Sequence, residues 1–348
     1  MTPPLLSPGE FRELAARFAE RPIVVLGDVM LDEYVWGEAS RISPEAPVAI
    51  VEVERETLRL GGAANVARNI ASLGGRVELL ALVGEDARAE SLAEALEAEG
   101  IAANGLLADP DRPTTLKTRI VASRQQIVRV DRESRAPLTG KLRERFVDSL
   151  MARLDTAGGV LVSDYGKGVV DLPMMELVAR EARAREIFVA VDPKESHFYL
   201  YRHVSIVTPN VHEASRAARL EIRGTRNLEE AGRKLLAELE SDALLITRGP
   251  EGMSLFRTDR ETTHIPVMAR EVYDVTGAGD TVIATLTLAA VAGASLEHAA
   301  ALSNAAAAVV VGEVGTAAVT PDELEMSLSF GYPKPSERAG AREREKAR

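Results

Sequence analysis

The chain has 348 residues, a formal net charge of −11 and no cysteine. The lack of cysteine excludes disulfides, thiolate catalysis and cysteine-ligated metals, and the negative charge disfavours general binding to nucleic-acid phosphates. The first residues show no basic segment followed by an apolar one, and no apolar run reaches the roughly 18 residues of a membrane span. We therefore expect a cytoplasmic protein with no nucleic-acid or membrane partner.

The first predicted element is a capped helix. The stretch SPGE, residues 7–10, has the pattern of a capping box with proline at the first helical position. Phe11, Leu14, Ala15 and Phe18 then fall on one helical face. The pattern predicts an amphipathic helix that packs against the rest of the chain.

Five short β-branched runs without polar alternation follow along the chain, separated by segments of helical periodicity such as residues 228–239. Such runs predict strands that are buried on both faces, and their alternation with helices predicts βαβ units and a parallel sheet. The runs are IVVL after Pro22, VLVS after Gly159, IFVAV after Glu186, VSIV after His203 and ALLIT after Asp242.

Each of these runs ends on polar residues or glycine. In an open parallel sheet, the ligand crevice lies beyond the carboxyl ends of the strands. One polar end carries little weight because any strand must end in something polar, but five ends rich in acids, amides and bases indicate a ligand site. The ends are Asp28, Ser163-Asp164, Asp192–Lys194, Asn210 and Arg248-Gly249.

Two segments break the alternation of strand and helix. Residues 48–53 and 114–130 are rich in β-formers, and they predict either a small antiparallel sheet standing off the main domain or a pair of ordinary edge strands. From about Gly331 the sequence is charged and lacks apolar anchors, so residues 331–348 are expected to be a disordered or loosely helical tail.

The stretch DVTGAGDTV, residues 274–282, places a small glycine-rich turn before a helix expected from about Asp280 to Ala292. Unpaired N–H groups and the helix dipole make such a turn an anion site, and small residues let the ligand approach closely. Asp280 is either the helix N-cap or a base that accepts a proton from an attacking hydroxyl.

The stretch LRLGGAANVARNIASLGG, residues 58–75, opens a second helix with Gly61 and Gly62. Asn65 lies in the first turn. The glycines serve either tight helix packing or, with Asn65, the binding of sugar hydroxyls. Other signatures are missing: the sequence has no G-x-x-x-x-G-K-[ST], H-E-x-x-H or G-x-S-x-G motif, and Val282 stands where a third dinucleotide-binding glycine would be.

These motifs resemble those of the ribokinase-like (PfkB) carbohydrate kinases. GGAANVARNIASLGG is similar to the first signature of that family and DVTGAGDTV to the second, in the same order and about 210 residues apart. NVHE, residues 210–213, resembles the N-x-x-E element, and TRGPEGM, residues 247–253, resembles the nucleotide-binding turn. The resemblance runs from about Ile23 to Glu323.

The resemblance implies an α/β fold with a ribokinase-like doubly wound, mostly parallel sheet that is flanked by helices. A single kinase domain would span residues 1–330. A small β-rich lid, formed by segments near 35–60 and 114–130, would cover the sugar. Lids of this family often pair between subunits, so the resemblance also implies a homodimer.

Further stretches resemble the kinases of D-glycero-β-D-manno-heptose 7-phosphate within that family. They are VVLGDVMLDEYVWG, SRISPEAPV, TTLKTRIVASRQQIVRVD, SDYGKG, VDPK and EVYDVTGAGDTV. The implied reaction is ATP-dependent phosphorylation of the anomeric hydroxyl, which gives heptose 1,7-bisphosphate for ADP-heptose and lipopolysaccharide core synthesis. Because no H-x-G-H motif occurs and the sequence ends soon after the kinase region, we expect a monofunctional kinase without a nucleotidyltransferase domain.

The resemblance also assigns roles to individual residues. Asp280 would be the catalytic base, and the backbone amides of Gly277, Ala278 and Gly279 would form the anion hole. Asn210 and Glu213 would organise Mg²⁺, through water, and the nucleotide phosphates. A monovalent cation is a further candidate cofactor. The expected ATP-binding residues are Asn210, Val211, His212, Glu213, Thr247, Arg248, Gly249, Gly252 and Asn304.

The expected substrate is a small sugar phosphate. An acidic protein that binds a dianion must gather local cations, although surface solvation remains the alternative for each one. The residues expected to hold sugar hydroxyls are Asp28, Asp32, Gly61, Gly62 and Asn65. The candidate phosphate ligands are Lys117, Arg119, Arg129, Lys167 and Lys194.

Three hypotheses remain open on the sequence. The first is the heptose 7-phosphate kinase. The second is a related kinase for another sugar, such as fructose 1- or 6-phosphate. The third is a catalytically silent sugar-binding regulator, against which the intact Asp280 and N-x-x-E element argue.

Overall fold

The computed structural model describes residues 6–123, 125–258, 260–268, 274–312 and 317–330, with only the backbone of residue 330. The tail predicted over 331–348 lies outside the described residues. The strands are β1 (Ile23–Gly27), β2 (Val29–Ile42), β3 (Ala49–Gly62), β4 (Val77–Gly84), β5 (Leu106–Asp109), β6 (Leu116–Ala122), β7 (Gln125–Arg132), β8 (Gly159–Ser163), β9 (Phe188–Asp192), β10 (Ile206–Val207), β11 (Ala243–Thr247), β12 (Met253–Arg257) and β13 (Thr263–Ile265). The helices are α1 (Pro8–Ala15), α2 (Ala63–Ser72), α3 (Ala87–Ala98), α4 (Gly140–Leu154), α5 (Leu172–Ala184), α6 (Val211–Ala218), α7 (Thr225–Leu239), α8 (Ala278–Val291), α9 (Leu296–Val310) and α10 (Pro321–Phe330).

The main sheet has nine strands in the order β13-β12-β11-β10-β9-β8-β1-β4-β5. The strands from β11 to β5 in this order are all parallel, whereas β12 and β13 add an antiparallel edge. In the sheet, β4 lies on one side of β1 and β8 lies on the other, so the direction in which strands are added reverses at β1. Ligands bind at such a reversal of strand order, beyond the carboxyl ends of the strands.

The hydrophobic core lies on both faces of this sheet. In β1, Ile23 and Val25 pack with α1, α2, α8 and α9, whereas Val24 and Leu26 pack with α4, α5 and α7. This two-sided burial explains why the predicted strands carry no polar alternation. The fold thus confirms the α/β, mostly parallel sheet, and its strands match all five predicted runs.

The second sheet has four strands in the order β3-β2-β6-β7. The pairs β2–β3 and β6–β7 are antiparallel, as expected, but the central pair β2–β6 is parallel. The parallel pair forms because β2 and β6 come from separate hairpins that leave the main domain in the same direction. One residue, Asp28, separates β2 from β1, so this lid sheet grows directly from the carboxyl end of a core strand.

Local signals at the helix ends are also confirmed. Ser7 and Glu10 form the predicted capping box, with proline at the first position of α1. The stretch DVTGAGDTV contains the start of α8 at Ala278, two residues before the predicted start. No helix in the described part of the chain is long and apolar enough to cross a membrane.

Candidate active site

A cleft of about 210 Å³ lies beyond the carboxyl ends of β8, β9, β10 and β11 and at the start of α8. The structure therefore brings both the N-x-x-E element and the second glycine-rich turn to the edge of the sheet that the strand ends indicated. The lining residues are Asp164, Tyr165, Asp192, Pro193, Lys194, Thr208, Asn210, Glu213, Thr247, Gly277, Gly279, Asp280 and Val282.

The glycine turn at α8 presents helix amides to this cleft. Gly277 is the N-cap and has φ +79°, a conformation that glycine adopts without strain. A Cβ added to Gly279 would meet no atom within 4 Å, so the space above this residue is open. The Ala278 amide donates to the Val275 carbonyl at 3.2 Å. The amides of Gly279 and Asp280 in the first turn are therefore better placed than that of Ala278 to bind an anion.

Asp280 is buried at the third position of α8, with 6% of its surface exposed. Because Gly277 is the N-cap, the alternative interpretation of Asp280 as the N-cap is wrong. Its Oδ2 accepts from Asn65 Nδ2 at 2.6 Å, and its Oδ1 accepts from Tyr165 OH at 3.0 Å. Burial raises the pKa of Asp280 to about 6, although both hydrogen bonds lower it. A carboxylate with a pKa near the working pH is suited to general base catalysis.

The two signature helices α2 and α8 are joined by buried polar contacts. Asn65 reaches Asp280, and one turn later Thr281 Oγ1 donates to Asn69 Oδ1 at 2.8 Å. The prediction placed Asn65 among the sugar ligands, and its Oδ1 has no hydrogen-bond partner in the described part of the chain. The Asn65 side chain can thus hold Asp280 with its amide nitrogen and still offer an acceptor.

Asp28 and Asp32 flank the entrance to the lid. Asp28 is buried, and burial raises its pKa to about 6. Its Oδ2 accepts from the backbone amides of Tyr165 and Lys167 at 2.8 and 3.0 Å. Its Oδ1 has no hydrogen-bond partner among the described residues. Asp32 forms an ion pair with Arg119 at 2.5 Å and lies against Gly61, where an added Cβ would be 2.3 Å from Asp32 Oδ2.

The N-x-x-E element begins α6. Asn210 Oδ1 accepts from the amides of His212 and Glu213, and Glu213 Oε2 accepts from the Asn210 amide at 2.8 Å. These contacts form a capping box, so one oxygen of each side chain is used by the helix. Burial raises the pKa of Glu213, whereas the nearby Lys194 ammonium lowers it. Val211, in the first turn of α6, is half-buried.

The cleft concentrates negative charge. Burial, followed by the carboxylates of Asp280, Glu213 and Asp164, raises the pKa of Asp192 well above its ordinary value. A divalent cation with oxygen ligands would relieve this repulsion. No three His, Asp or Glu side chains of the described residues form a group that could hold a metal directly. Carboxylate and amide oxygens are ligands that Mg²⁺ accepts, so the types of donor in the cleft fit this ion.

The expected nucleotide-binding turn follows β11. Thr247 lines the cleft and forms a parallel β-bridge with Asn210. Arg248 pairs with Glu251 of the same turn, which leaves its guanidinium partly neutralised. Asn304 was expected in the ATP site, and its Nδ2 donates to the Pro266 carbonyl at 2.8 Å, so this amide also packs α9 against the segment after β13.

Gly252 closes this turn in a conformation that requires glycine. Its φ is +80°, and an added Cβ would lie 2.0 Å from the Ile265 carbonyl oxygen. We expect Gly252→Ala to lower the free energy of unfolding by about 2 kcal/mol or more, because left-handed backbone alone costs roughly 1–2 kcal/mol. Gly249→Ala is the matched control, since Gly249 has φ +56° and open space around it. Urea unfolding measures both variants, and equal losses would show that the Ile265 contact is unimportant.

Four of the five candidate phosphate ligands belong to ion pairs at the lid. Lys117 lies 3.5 Å from Asp131 and 3.8 Å from Glu133, and Lys167 lies 2.6 Å from Glu133. Arg129 pairs with Asp131 and Arg119 with Asp32. Lys194 differs because it lines the cleft beside Glu213, together with the expected nucleotide-binding residues.

Sequence reasoning missed Tyr165 and the polar cluster behind it. Asp164 Oδ2 accepts from Tyr201 OH at 2.6 Å and from His197 Nδ1 at 2.8 Å. The SDYGKG stretch was identified by its aspartate and lysine, and nothing in the spacing showed that its tyrosine reaches Asp280. The only available signal was that Tyr165 follows directly after a polar strand end.

A ribokinase-like fold, with an acidic residue behind an anion-binding turn, is typical of sugar kinases. The model of the pfkB family of carbohydrate kinases matches residues 21–323. The chain belongs to this family and is a carbohydrate kinase.

The chain is similar to three bacterial proteins that are each named bifunctional protein HldE. The chain is 49% identical over 309 residues to that of Geobacter sulfurreducens, covering 89% of this chain and 63% of the relative. It is 46% identical over 324 residues to that of Geotalea uraniireducens, covering 93% and 66%. For Helicobacter pylori the values are 43% over 314 residues, covering 90% and 68%. The chain thus spans about two thirds of the length of these curated relatives.

Two solved structures share the fold. A ribokinase from Arabidopsis thaliana, complexed with ribose and ATP, superposes with a TM-score of 0.75 at 23% identity and covers 89% of this chain and 99% of that one. Phosphofructokinase-2 from Escherichia coli, in complex with substrates and products, gives a TM-score of 0.74 at 19% identity, with 89% and 99% coverage. At these identities the likeness supports the ribokinase-like fold.

Proposed function

We propose that the chain phosphorylates D-glycero-β-D-manno-heptose 7-phosphate at its anomeric hydroxyl, with ATP as the donor. The product would be heptose 1,7-bisphosphate, for ADP-heptose and lipopolysaccharide core synthesis. The observation that carries the proposal is the position of Asp280, a buried carboxylate in the first turn of α8, between the lid and the nucleotide-binding turn. The resemblance of the lid stretches to heptose 7-phosphate kinases supports the choice of sugar.

In the proposed reaction, Asp280 accepts the proton of the anomeric hydroxyl, whose oxygen then attacks the γ-phosphorus of ATP. The pKa of about 6 keeps most Asp280 ionised at neutral pH. Negative charge that develops on the transferring phosphoryl group meets the amides at the start of α8 and the positive end of the helix dipole. The open space above Gly279 allows this close approach.

Among the described residues that line the cleft, Lys194 is the one cation. We propose that Lys194 contacts the phosphates of ATP, whereas Lys117 and Lys167 bind the distal phosphate of the sugar. The other lining side chains include Asp164, Asp192 and Glu213, so a polyphosphate entering this cleft needs added positive charge.

Glu213 would hold Mg²⁺ through water with the carboxylate oxygen that the capping box leaves free, and Asn210 would place Glu213 there through the same box. When bound, the ion supplies positive charge that neutralises phosphate oxygens. The residues of the chain position the nucleotide and the sugar, and they exclude water when the lid is closed over them.

We expect Glu213→Gln to raise the Mg²⁺ concentration for half activity by about tenfold or more, because groups that orient metal ligands typically change metal affinity by about 10–100-fold. Glutamine can keep the capping box, so α6 should still form. Mg²⁺ titrations of ADP release give the readout. Glu221→Gln, at an exposed pair with Arg223, serves as the control. The same Mg²⁺ requirement in Glu213→Gln as in the wild type would remove Glu213 from the metal site.

The proposed activity is tested by a coupled ADP-release assay over a panel of sugars. Heptose 7-phosphate should give the highest kcat/KM. A preference for fructose 1- or 6-phosphate would identify another sugar-phosphate kinase, and no turnover with any sugar would favour the silent regulator. Product position is read by ³¹P NMR.

We also propose a homodimer that pairs through the lids. The supporting observation is a set of exposed apolar side chains on the lid and its connecting loop. They are Ile42, Val48, Val53, Leu58, Ile127, Val128 and Val130. Sedimentation equilibrium measures the oligomeric state, and a monomer at micromolar concentration would contradict this assembly.

We also propose a cytoplasmic location, since ATP is the expected donor.

A further inference from the structure

Tyr165 lies between the two glycine-rich turns of the site. Its hydroxyl donates to Asp280 Oδ1 at 3.0 Å. On the other side, a Cβ added to Gly62 would lie 3.5 Å from ring carbon Cδ2, so the tyrosine ring packs against the first glycine-rich turn. One side chain therefore links the start of α2 to the carboxylate on α8.

The backbone around Tyr165 is fixed from two sides. Asp28 Oδ2 accepts from the amides of Tyr165 and Lys167 at 2.8 and 3.0 Å. Asp164 Oδ1 accepts from the amide of Gly166 at 2.7 Å, and Gly166 has φ +68°. The loop after β8 cannot shift without breaking these contacts between its amides and two buried carboxylates.

We propose that Tyr165 is a positioning residue for the catalytic base. Its hydroxyl holds one oxygen of Asp280 while Asn65 holds the other at 2.6 Å, so the two donors together fix the plane of the carboxylate. Rotation of the carboxylate would break both hydrogen bonds. This inference rests on the proposed role of Asp280 as the proton acceptor.

Tyr165 acts as a donor and does not exchange protons itself. Burial and the neighbouring Asp280 carboxylate raise the pKa of Tyr165 well above its ordinary value. The hydroxyl therefore stays protonated over the working pH range. A donor of this kind favours the charged form of Asp280, in opposition to burial.

Other charged groups around Asp280 also influence its pKa. Asp32, from the lid, raises the pKa of Asp280 and is itself paired with Arg119. Among the described residues, the charged ones that line the rest of the cleft are Asp164, Asp192, Lys194 and Glu213. All of them are unchanged in a Tyr165→Phe variant, so a change in the pH profile reports the lost hydroxyl.

We expect Tyr165→Phe to move the acidic limb of kcat/KM upwards by about one pH unit, because a hydrogen bond to a carboxylate changes its pKa by about that amount or more. At pH 6 the loss should be about fivefold, approaching tenfold at lower pH, and it should nearly vanish at pH 9, where the base is ionised in both proteins. The assay uses ATP, excess Mg²⁺ and heptose 7-phosphate. Phenylalanine keeps the ring contact with Gly62, and the thermal unfolding midpoint checks the fold.

Tyr201→Phe is the matched control, since it removes a buried tyrosine hydrogen bond to Asp164 without touching Asp280. Its acidic limb should stay in place. An unshifted limb in Tyr165→Phe, or equal shifts in both variants, would overturn the positioning role. Asp280→Asn separates this inference from the proposed function. If that variant keeps its activity, the assignment of the base fails, whereas an inactive Asp280→Asn with an unshifted Tyr165→Phe contradicts only the inference about Tyr165.

Discussion

Asp280→Asn is expected to lower kcat by about 10²–10⁴-fold, the usual contribution of general base catalysis, while ATP binding is retained. Asparagine has nearly the same shape as aspartate, but its amide does not accept the proton of the sugar hydroxyl. The hydrogen bonds of the Asp280 carboxylate go to Asn65 and Tyr165, so the expected nucleotide-binding turn after β11 should keep its position. Steady-state ADP release measures kcat, and calorimetry measures ATP affinity.

The pH profile gives the same assignment a second readout. Burial raises the pKa of Asp280 to about 6. A base must be ionised to act, so kcat/KM should fall as the pH drops through about 6, roughly tenfold for each further unit. The residual activity of Asp280→Asn should lack this limb.

Asp171→Asn is a suitable control for the Asp280 substitution. Asp171 is the N-cap of α5, where asparagine caps about as well, and it is not among the residues that line the cleft. Its kcat and pH profile should match those of the wild type. If Asp280→Asn keeps more than about a tenth of the wild-type kcat, Asp280 is not the base.

The main sheet could be predicted because its strands are buried on both faces. β1 and β8 are nearly uninterrupted apolar runs in the sequence, and the polar residues that end them lie at one edge of the sheet. The pairing within the lid could not be predicted. β2 is buried only at its beginning and β7 is exposed along its length, so burial does not fix the register of these strands. The register depends instead on contacts between residues that are distant in sequence. The parallel β2–β6 pair follows from the direction in which two hairpins leave the domain.

The candidate site was only partly predictable for a similar reason. The glycine turns and Asp280 have local signatures, since helix starts and positive φ angles demand particular residues. The contacts of Asp280 with Asn65 and Tyr165 join residues more than 100 positions apart, and they depend on how α2 and the loop after β8 pack against α8. That Asn210 and Glu213 form a capping box at the start of α6 was also seen only in the structure.

The preferred sugar is expected to carry a phosphate at the end far from the attacking hydroxyl. Heptose 7-phosphate should exceed free heptose by about 10²-fold or more in kcat/KM, because charge-assisted contacts to phosphate contribute roughly 1.5–3 kcal/mol each. Lid strand β6 provides Lys117, and the loop after β8 provides Lys167. Lys117 and Lys167 both approach Glu133, so an incoming phosphate can replace this carboxylate as their shared partner.

Single substitutions of the cations distinguish the two phosphate sites that we propose. Lys167→Ala should lower kcat/KM for heptose 7-phosphate by about tenfold or more and leave that for free heptose nearly unchanged, because only the phosphorylated sugar makes the lost contact. Lys194→Ala should lower both values by the same factor, since ATP is common to the two reactions. Arg41 is exposed on β2 and paired with Glu52, so Arg41→Ala provides a control for the loss of positive charge at the lid. If wild-type protein uses free heptose as well as heptose 7-phosphate, the pocket does not read a distal phosphate. The chain would then be a more general sugar kinase, and Lys167 would serve only to hold Glu133 in the lid.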